Sequence, residues 1–213
     1  MNNMYEYENK YYSLGYNVVA GTDEAGRGPL VGPVVCACVV LPKNYENDEI
    51  NDSKKLTEKK REKLYDIIMK DALSVGVSII SAKEIDEINI LEASRKGMIE
   101  SYKKANKKIK IDVLLTDAME IKTIPIPVEK IIKGDAKSIS IAAASIIAKV
   151  TRDRILYELD EKYPEYGFKS HKGYPTKKHL EVIEKYGIFD EYRKTYGPVK
   201  KIIEKEGNLV FNR

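Results

Sequence analysis

Apolar residues recur along this chain with two different periods, and their alternation predicts a β-sheet flanked by helices. Val18–Thr22 and Pro33–Leu41 are short, β-branched apolar runs separated by a loop with Gly26, Gly28 and Gly32, the pattern of two neighbouring strands. Leu73–Ile80 predicts a third strand, Lys110–Thr116 a fourth ending at Asp117, and Val128–Ile132 a fifth ending near Gly134-Asp135. Helical spacing fills the intervals. Thr57 is placed to cap a helix whose apolar face is Leu64, Ile67 and Ile68. Ser81-Ala82-Lys83-Glu84 fits a capping box ahead of Ile85, Ile88 and Leu91, and Ser94, Met98 and Tyr102 continue at i, i+4 spacing. A long helix is expected from about Ser138 to Tyr163, with Ala142, Ile146, Ile147 and Val150 facing inward. Its Ala- and Ser-rich first turns permit close approach to a sheet.

From Pro164 the pattern changes to short helices broken at Gly167, Gly173-Tyr174-Pro175, Gly187 and Gly197-Pro198, with Thr176 capping one that Gly187 ends. Lys169, Lys172, Lys177, Lys178, Arg193, Lys194, Lys200 and Lys201 make this stretch basic. The expected organisation is an α/β core over residues 1–163 and a helical subdomain over residues 164–213, integral to one domain.

Composition narrows the class. The 213 residues include 37 Lys and Arg against 33 Asp and Glu, a net charge of +4 that is compatible with a polyanionic partner. A hydrophobic share of 43% excludes a disordered chain. Cys36 and Cys38, two apart on an expected strand, share one face as core neighbours; they offer no disulfide framework, which fits a reducing compartment. Met1–Tyr16 is polar and tyrosine-rich without an apolar signal region, and no run reaches the ~20 apolar residues of a membrane span. A soluble cytoplasmic protein with no membrane partner is expected.

Candidate chemistry centres on Asp23, Glu24, Asp117 and Asp135, each placed where an apolar run gives way to a polar or glycine-rich turn. Carboxylates suit Mg²⁺ or Mn²⁺, and a pair of such ions would relieve the repulsion among acids meeting at strand ends. A regular strand sends Asp23 and Glu24 to opposite faces, so sharing a metal requires the strand to break there, with Gly26 allowing the turn. The plainer reading is that a lone Asp at a strand end forms a turn or caps a helix, and Asp52, Asp112 and Asp153 have similar claims. Nucleotide loops are rejected: Gly26-Arg27-Gly28-Pro29-Leu30-Val31-Gly32 puts Val at the third glycine of G-x-G-x-x-G, and Arg27-Gly28 replaces the Lys-Ser/Thr of a P-loop. Backbone amides beside an arginine suit a phosphodiester or sugar hydroxyl. His171 and His179 lack zinc-type partners. Tyr174, in a basic glycine turn, is either a packing residue or a surface for stacking on a nucleotide.

Ala20 to Val35, Asp52-Ser53-Lys54-Lys55-Leu56, Lys133-Gly134-Asp135 followed by Ile141 to Asp153, and the His171-Lys172-Gly173-Tyr174 loop with His179 together resemble the bacterial ribonuclease HII family, in order, from about residue 18 to 187. Arg27 and the short lead before the first strand favour HII over its sister family HIII. The resemblance implies an RNase H-like mixed β-sheet flanked by helices, hydrolysis of RNA paired with DNA, and nicking 5′ of single ribonucleotides in duplex DNA. Such activity serves excision repair and primer removal. It also implies that Asp23, Glu24, Asp117 and Asp135 are the active-site acids, with Asp23, Glu24 and Asp117 holding Mn²⁺ or Mg²⁺ in a two-metal site. Gly26, Arg27 and Gly28 would contact the ribonucleotide, Tyr174 would pack on the sugar of the following nucleotide, and Lys54, Lys55 and Lys149 would hold phosphates. Partners would be RNA–DNA hybrid and ribonucleotide-containing duplex DNA, bound by a monomer. A non-catalytic hybrid-binding protein and a DNA-only nuclease of the same fold are the alternatives.

Overall fold

The computed structural model describes residues 4–210, with side chains through residue 205. Five strands form one mixed sheet: β1 (Val19–Ala25), β2 (Val34–Val40), β3 (Ser74–Ile80), β4 (Val113–Asp117) and β5 (Val128–Ile131), ordered β3-β2-β1-β4-β5. β1 pairs antiparallel with β2 and parallel with β4, which pairs parallel with β5. Every residue of β2 is buried, whereas β3 at the sheet edge alternates buried and accessible positions, as a half-solvated strand should.

The helices are α1 (Glu6–Ser13), α2 (Glu58–Asp71), α3 (Ala82–Ile88), α4 (Ile90–Asn106), α5 (Ile139–Lys162), α6 (Phe168–His171), α7 (Lys177–Tyr186) and α8 (Gly197–Val210). Thr57, Ser81 and Thr176 cap α2, α3 and α7 through their hydroxyls, as their sequence positions predict. The helical stretch after Ser81 is two helices. Asn89 adopts φ +66°, breaking it, and its Oδ1 accepts from the amides of Leu91 and Glu92 to start α4. α1 was not foreseen. Its buried Glu8 accepts from Ser138 Oγ at 2.6 Å and the Ser140 amide at 3.0 Å, while the Ile139 amide donates to Met4 O at 2.7 Å, so α1 and the turn leading into it satisfy the first amides of α5. Burial raises the Glu8 carboxyl above the ordinary range against the pull of Ser138 and Ser140.

Two compact units divide the chain, one comprising residues 1–25, 35–79 and 94–151, the other residues 26–34, 80–93 and 152–213. The second unit gathers the loop after β1 and the α3 segment with the C-terminal helices.

In the first unit, the early residues of α5 are buried all round, from Ile139 through Ala148, which its alternating Ile, Ala and Ser permit. Gly21 of β1 makes the closest approach: a Cβ there would lie 2.2 Å from Ser140 C and 2.3 Å from Ile141 N. On the opposite face of the sheet, Cys36 and Cys38 are buried free thiols, as their spacing predicts. In the second unit, Leu30, Val31, Leu156, Phe168, Ile183, Tyr192 and Val199 form a separate core. Arg193, counted among the residues that make the C-terminal stretch basic, is fully buried at 0% exposure.

Candidate active site

β1 stays regular through Asp23 and Glu24, with Asp23 opposite Ala37 and Glu24 opposite Cys36 across the antiparallel pair. The strand break required for both carboxylates to face one way does not occur. Alternation instead sends Asp23 to the face that Gly21 shares with α5, and Glu24 to the other. Asp117 is the last residue of β4, on the strand paired in parallel to β1, and Asp135 sits in the 3₁₀ turn Gly134–Ala136 between β5 and α5. Asp23, Asp117 and Asp135 each offer a carboxylate oxygen, and these three atoms lie within 4.8 Å of one another. Of the expected metal set Asp23, Glu24 and Asp117, this group holds Asp23 and Asp117, and Asp135 joins them.

The carboxylates are held by short local contacts. Asp23 Oδ1 accepts from the Glu24 amide and Asp117 Oδ1 from the Gly134 amide, both at 2.7 Å. Ser145 of α5 hydrogen-bonds Asp23, and its Oγ is 2.8 Å from that of Ser53, in the turn before α2. Lys54 Nζ reaches Asp135 Oδ2 at 3.3 Å from an otherwise solvated position. Asp52, a rival by sequence, caps the Ser53–Lys55 turn, and Asp112 Oδ2 accepts from the Asn17 and Val18 amides, so both have structural work. Lys149 lies half-buried on α5.

Electrostatics follow from burial. Asp23 is 4% exposed, and burial, then Glu24, then Asp117, holds its carboxyl well above the usual range. Burial, reinforced by Asp135, likewise raises Asp117 despite the Gly134 amide. For Lys54, desolvation opposes the charge, but Asp135, Asp23 and Asp52 together outweigh it and keep the ammonium above its ordinary value. Three hard oxygen donors of like charge, converging with one lysine beside them, fit a divalent cation of the Mg²⁺ or Mn²⁺ kind.

In the second unit, Gly26 has φ +98°, and a Cβ there would lie 2.0 Å from Arg152 Nε. Arg27 and Gly28 are exposed. Tyr174 Cε1 lies 3.2 Å from where a Gly28 Cβ would stand, and the tyrosine is 44% exposed, so its ring flanks Gly28 while presenting a face to solvent. The turn bearing it is fixed from beneath by the stacked pair His171 and His179, whose ring centroids are 4.1 Å apart. His171 Nε2 donates to Tyr166 O and His179 Nδ1 to Tyr174 O, each at 2.9 Å, and Tyr192 Oη donates to His179 Nε2 at the same distance. Burial pulls His171 down and His179 to about 4, so both serve as neutral scaffolding.

A family model described as Ribonuclease HII matches residues 20–196. A curated ribonuclease HII of Bacillus cereus (strain G9842) is 55% identical over 202 residues, covering 95% of this chain and 77% of the relative. Among solved structures, ribonuclease H2 from Pyrococcus horikoshii OT3 superposes with TM-score 0.75 at 32% identity, covering 88% of this chain and 98% of that one. RNase HII of Archaeoglobus fulgidus, solved in a complex with PCNA, gives TM-score 0.68 at 29% identity, over 86% of this chain and 96% of that one.

Proposed function

We propose that this chain, which belongs to the ribonuclease HII family, cleaves the RNA strand of RNA–DNA hybrids and nicks duplex DNA on the 5′ side of a single ribonucleotide. The observation carrying this reading is the convergence of Asp23, Asp117 and Asp135 at the strand ends, where open α/β sheets take their ligands. The activity is that of a metal-dependent endoribonuclease. A non-catalytic hybrid-binding role is disfavoured, since buried acids facing phosphates oppose binding unless cations join them.

Asp23, Asp117 and Asp135 would hold the divalent ion, Mn²⁺ or Mg²⁺, and Glu24 would serve a second ion and supply charge beside Asp23. When bound, such ions supply Lewis-acid stabilisation of the negative charge that builds on the phosphate, and acidify water at neutral pH. The net reaction adds a water oxygen to phosphorus and breaks the bond to the 3′ oxygen, leaving a 3′-hydroxyl and a 5′-phosphate. Ser145 and Ser53 keep Asp23 oriented, and the Gly134 amide keeps Asp117 oriented. Lys54 steadies Asp135 and, being mostly solvated, remains able to meet a phosphate; Lys149 adds a second phosphate contact. Gly26, Arg27 and Gly28 would read the 2′-hydroxyl that alone distinguishes ribose, and Tyr174 would pack against the next sugar, excluding a hydroxyl there.

The test is incubation with duplex DNA holding one ribonucleotide, and with uniform hybrid, in Mn²⁺, Mg²⁺ or chelator. Expected are metal-dependent cuts on the 5′ side of the ribonucleotide with 5′-phosphate ends. Cleavage persisting in chelator, or absent from both substrates, overturns the proposal.

A further inference from the structure

The loop after β1 is tied down by two buried guanidiniums. Arg193, 0% exposed, donates Nε and Nη2 to Gly32 O at 3.0 and 2.9 Å, Nη2 also to Gly26 O at 2.6 Å, and Nη1 to Arg27 O at 2.9 Å. Tyr196 Oη donates to the same Arg27 carbonyl at 2.6 Å and accepts from Arg193 Nη1 at 3.0 Å. Arg152, 1% exposed, donates to Val31 O, Pro33 O and Lys172 O, each at 3.1 Å. Burial, with Arg193 beside it, lowers Arg152 to about 10, so it stays charged at neutral pH. Carbonyl dipoles converging on rigid forks of donors thus solvate both cations.

Peptide planarity turns this into a statement about the outer surface. The carbonyl of one residue and the amide N–H of the next point oppositely within each peptide plane. Drawing the Gly26 and Arg27 carbonyls onto buried Arg193 therefore directs the Arg27 and Gly28 amides away from it, at a segment whose residues 27 and 28 are exposed. We infer that Arg193, seconded by Arg152 and Tyr196, is a positioning residue for ribose selectivity: it fixes the loop with its amide donors facing outward, toward a 2′-hydroxyl. This rests on the reading of Gly26–Gly28 as the ribose-sensing segment. Lysine cannot substitute, because a single ammonium does not span three carbonyls in fixed directions.

The experiment measures, in steady-state turnover with Mn²⁺, KM for a duplex with one ribonucleotide and the inhibition constant Ki of the same duplex without it. Neither quantity depends on how much of the enzyme is folded, so their ratio reads the loop and not stability. Expected is a fall in Ki/KM of about tenfold in Arg193→Lys and about threefold in Tyr196→Phe, matching lost charged and neutral hydrogen bonds respectively. If Arg193→Lys does not fold, Tyr196→Phe alone decides, since it removes only a hydroxyl. A wild-type ratio kept in the folded variants overturns the inference and leaves the proposed activity standing. A wild-type ratio near one sinks the ribose-sensing role of the loop and this inference with it, and a wild type that cleaves neither substrate sinks the activity itself.

Discussion

Gly21→Ala is the sharpest test of how the sheet positions the acids. The new methyl would stand 2.2 Å from Ser140 C, 2.3 Å from Ile141 N and 2.6 Å from Ser140 O, all of them backbone. The nearest distance is about 1.2 Å short of the 3.4 Å at which ordinary contact begins, and no side chain can swing aside to make room. Either β1 or the first turn of α5 must move by roughly an ångström. Overpacking of this kind costs about 1–3 kcal/mol, which exceeds the ~0.4–1 kcal/mol gained by stiffening the unfolded chain. For a chain of this size a net loss of about 1–2 kcal/mol corresponds to a melting temperature lower by roughly 2–8 °C. Catalysis should suffer more, because the same helix carries Ser145 to Asp23 and begins just after Asp135. A misplacement of about 1 Å lowers the rate about 100-fold. Thermal melts and single-turnover cleavage at a temperature where both proteins are folded give the two readouts. Gly197→Ala, where a Cβ would meet nothing within 4 Å, is the control expected to change neither. A Gly21→Ala protein with wild-type melting and wild-type turnover refutes the reasoning.

Asp23→Asn and Asp117→Asn should each lower cleavage by about 10²–10³-fold or more while leaving hybrid affinity largely intact, measured by turnover and gel shift; retained turnover with lost binding contradicts the ligand role. Tyr174→Ala should reduce the preference for a lone ribonucleotide more than it harms uniform-hybrid cleavage, and equal losses on both argue against sensing of the next sugar. His179, lowered from 6.5 to about 4, makes the unfolded state the greater proton binder between those values, so its contribution is intact above pH 6.5 and disappears as pH falls toward 4. About 2–3 kcal/mol after allowance for screening is expected from it, read as the difference in melting-versus-pH slope between wild type and His179→Gln. Parallel slopes would remove the histidine from the acid response.

Patterning made the frame of this molecule legible. Five apolar runs became five strands, and Thr57, Ser81 and Thr176 became caps, because alternation and capping are local physics. Where side chains act across distance, single residues misled. Arg193 reads in sequence as one more basic residue of a lysine-rich stretch, yet it is fully buried; only the carbonyls of a loop some 160 residues earlier explain that. α1 escaped notice because its packed face is written in tyrosine, with Tyr7, Tyr11 and Tyr12 against Val19, Val113 and Ile131, and tyrosine reads ambiguously in apolar patterns. Glu24 follows Asp23 on a strand that stays regular, so alternation and not adjacency decides which face each carboxylate takes.

The same chain therefore buries charge in two opposite ways, and the contrast locates its unmet need. Arg152 and Arg193 are internal cations, but backbone carbonyls surround their donors, so they call for nothing from outside and act as framework. Asp23, Asp117 and Asp135 are acceptors facing acceptors. The amides of Glu24 and Gly134 and the hydroxyl of Ser145 each satisfy one oxygen without supplying positive charge, and Lys54 brings a single ammonium from a mostly solvated side chain. Raised Asp23 and Asp117 are what such a deficit looks like before compensation arrives. Protonation could relieve it, but only by removing the charge that makes these oxygens useful to a phosphodiester. Divalent cations relieve it and keep the charge, which is why the acids, and not the buried arginines, are the part of this fold that a cofactor must complete.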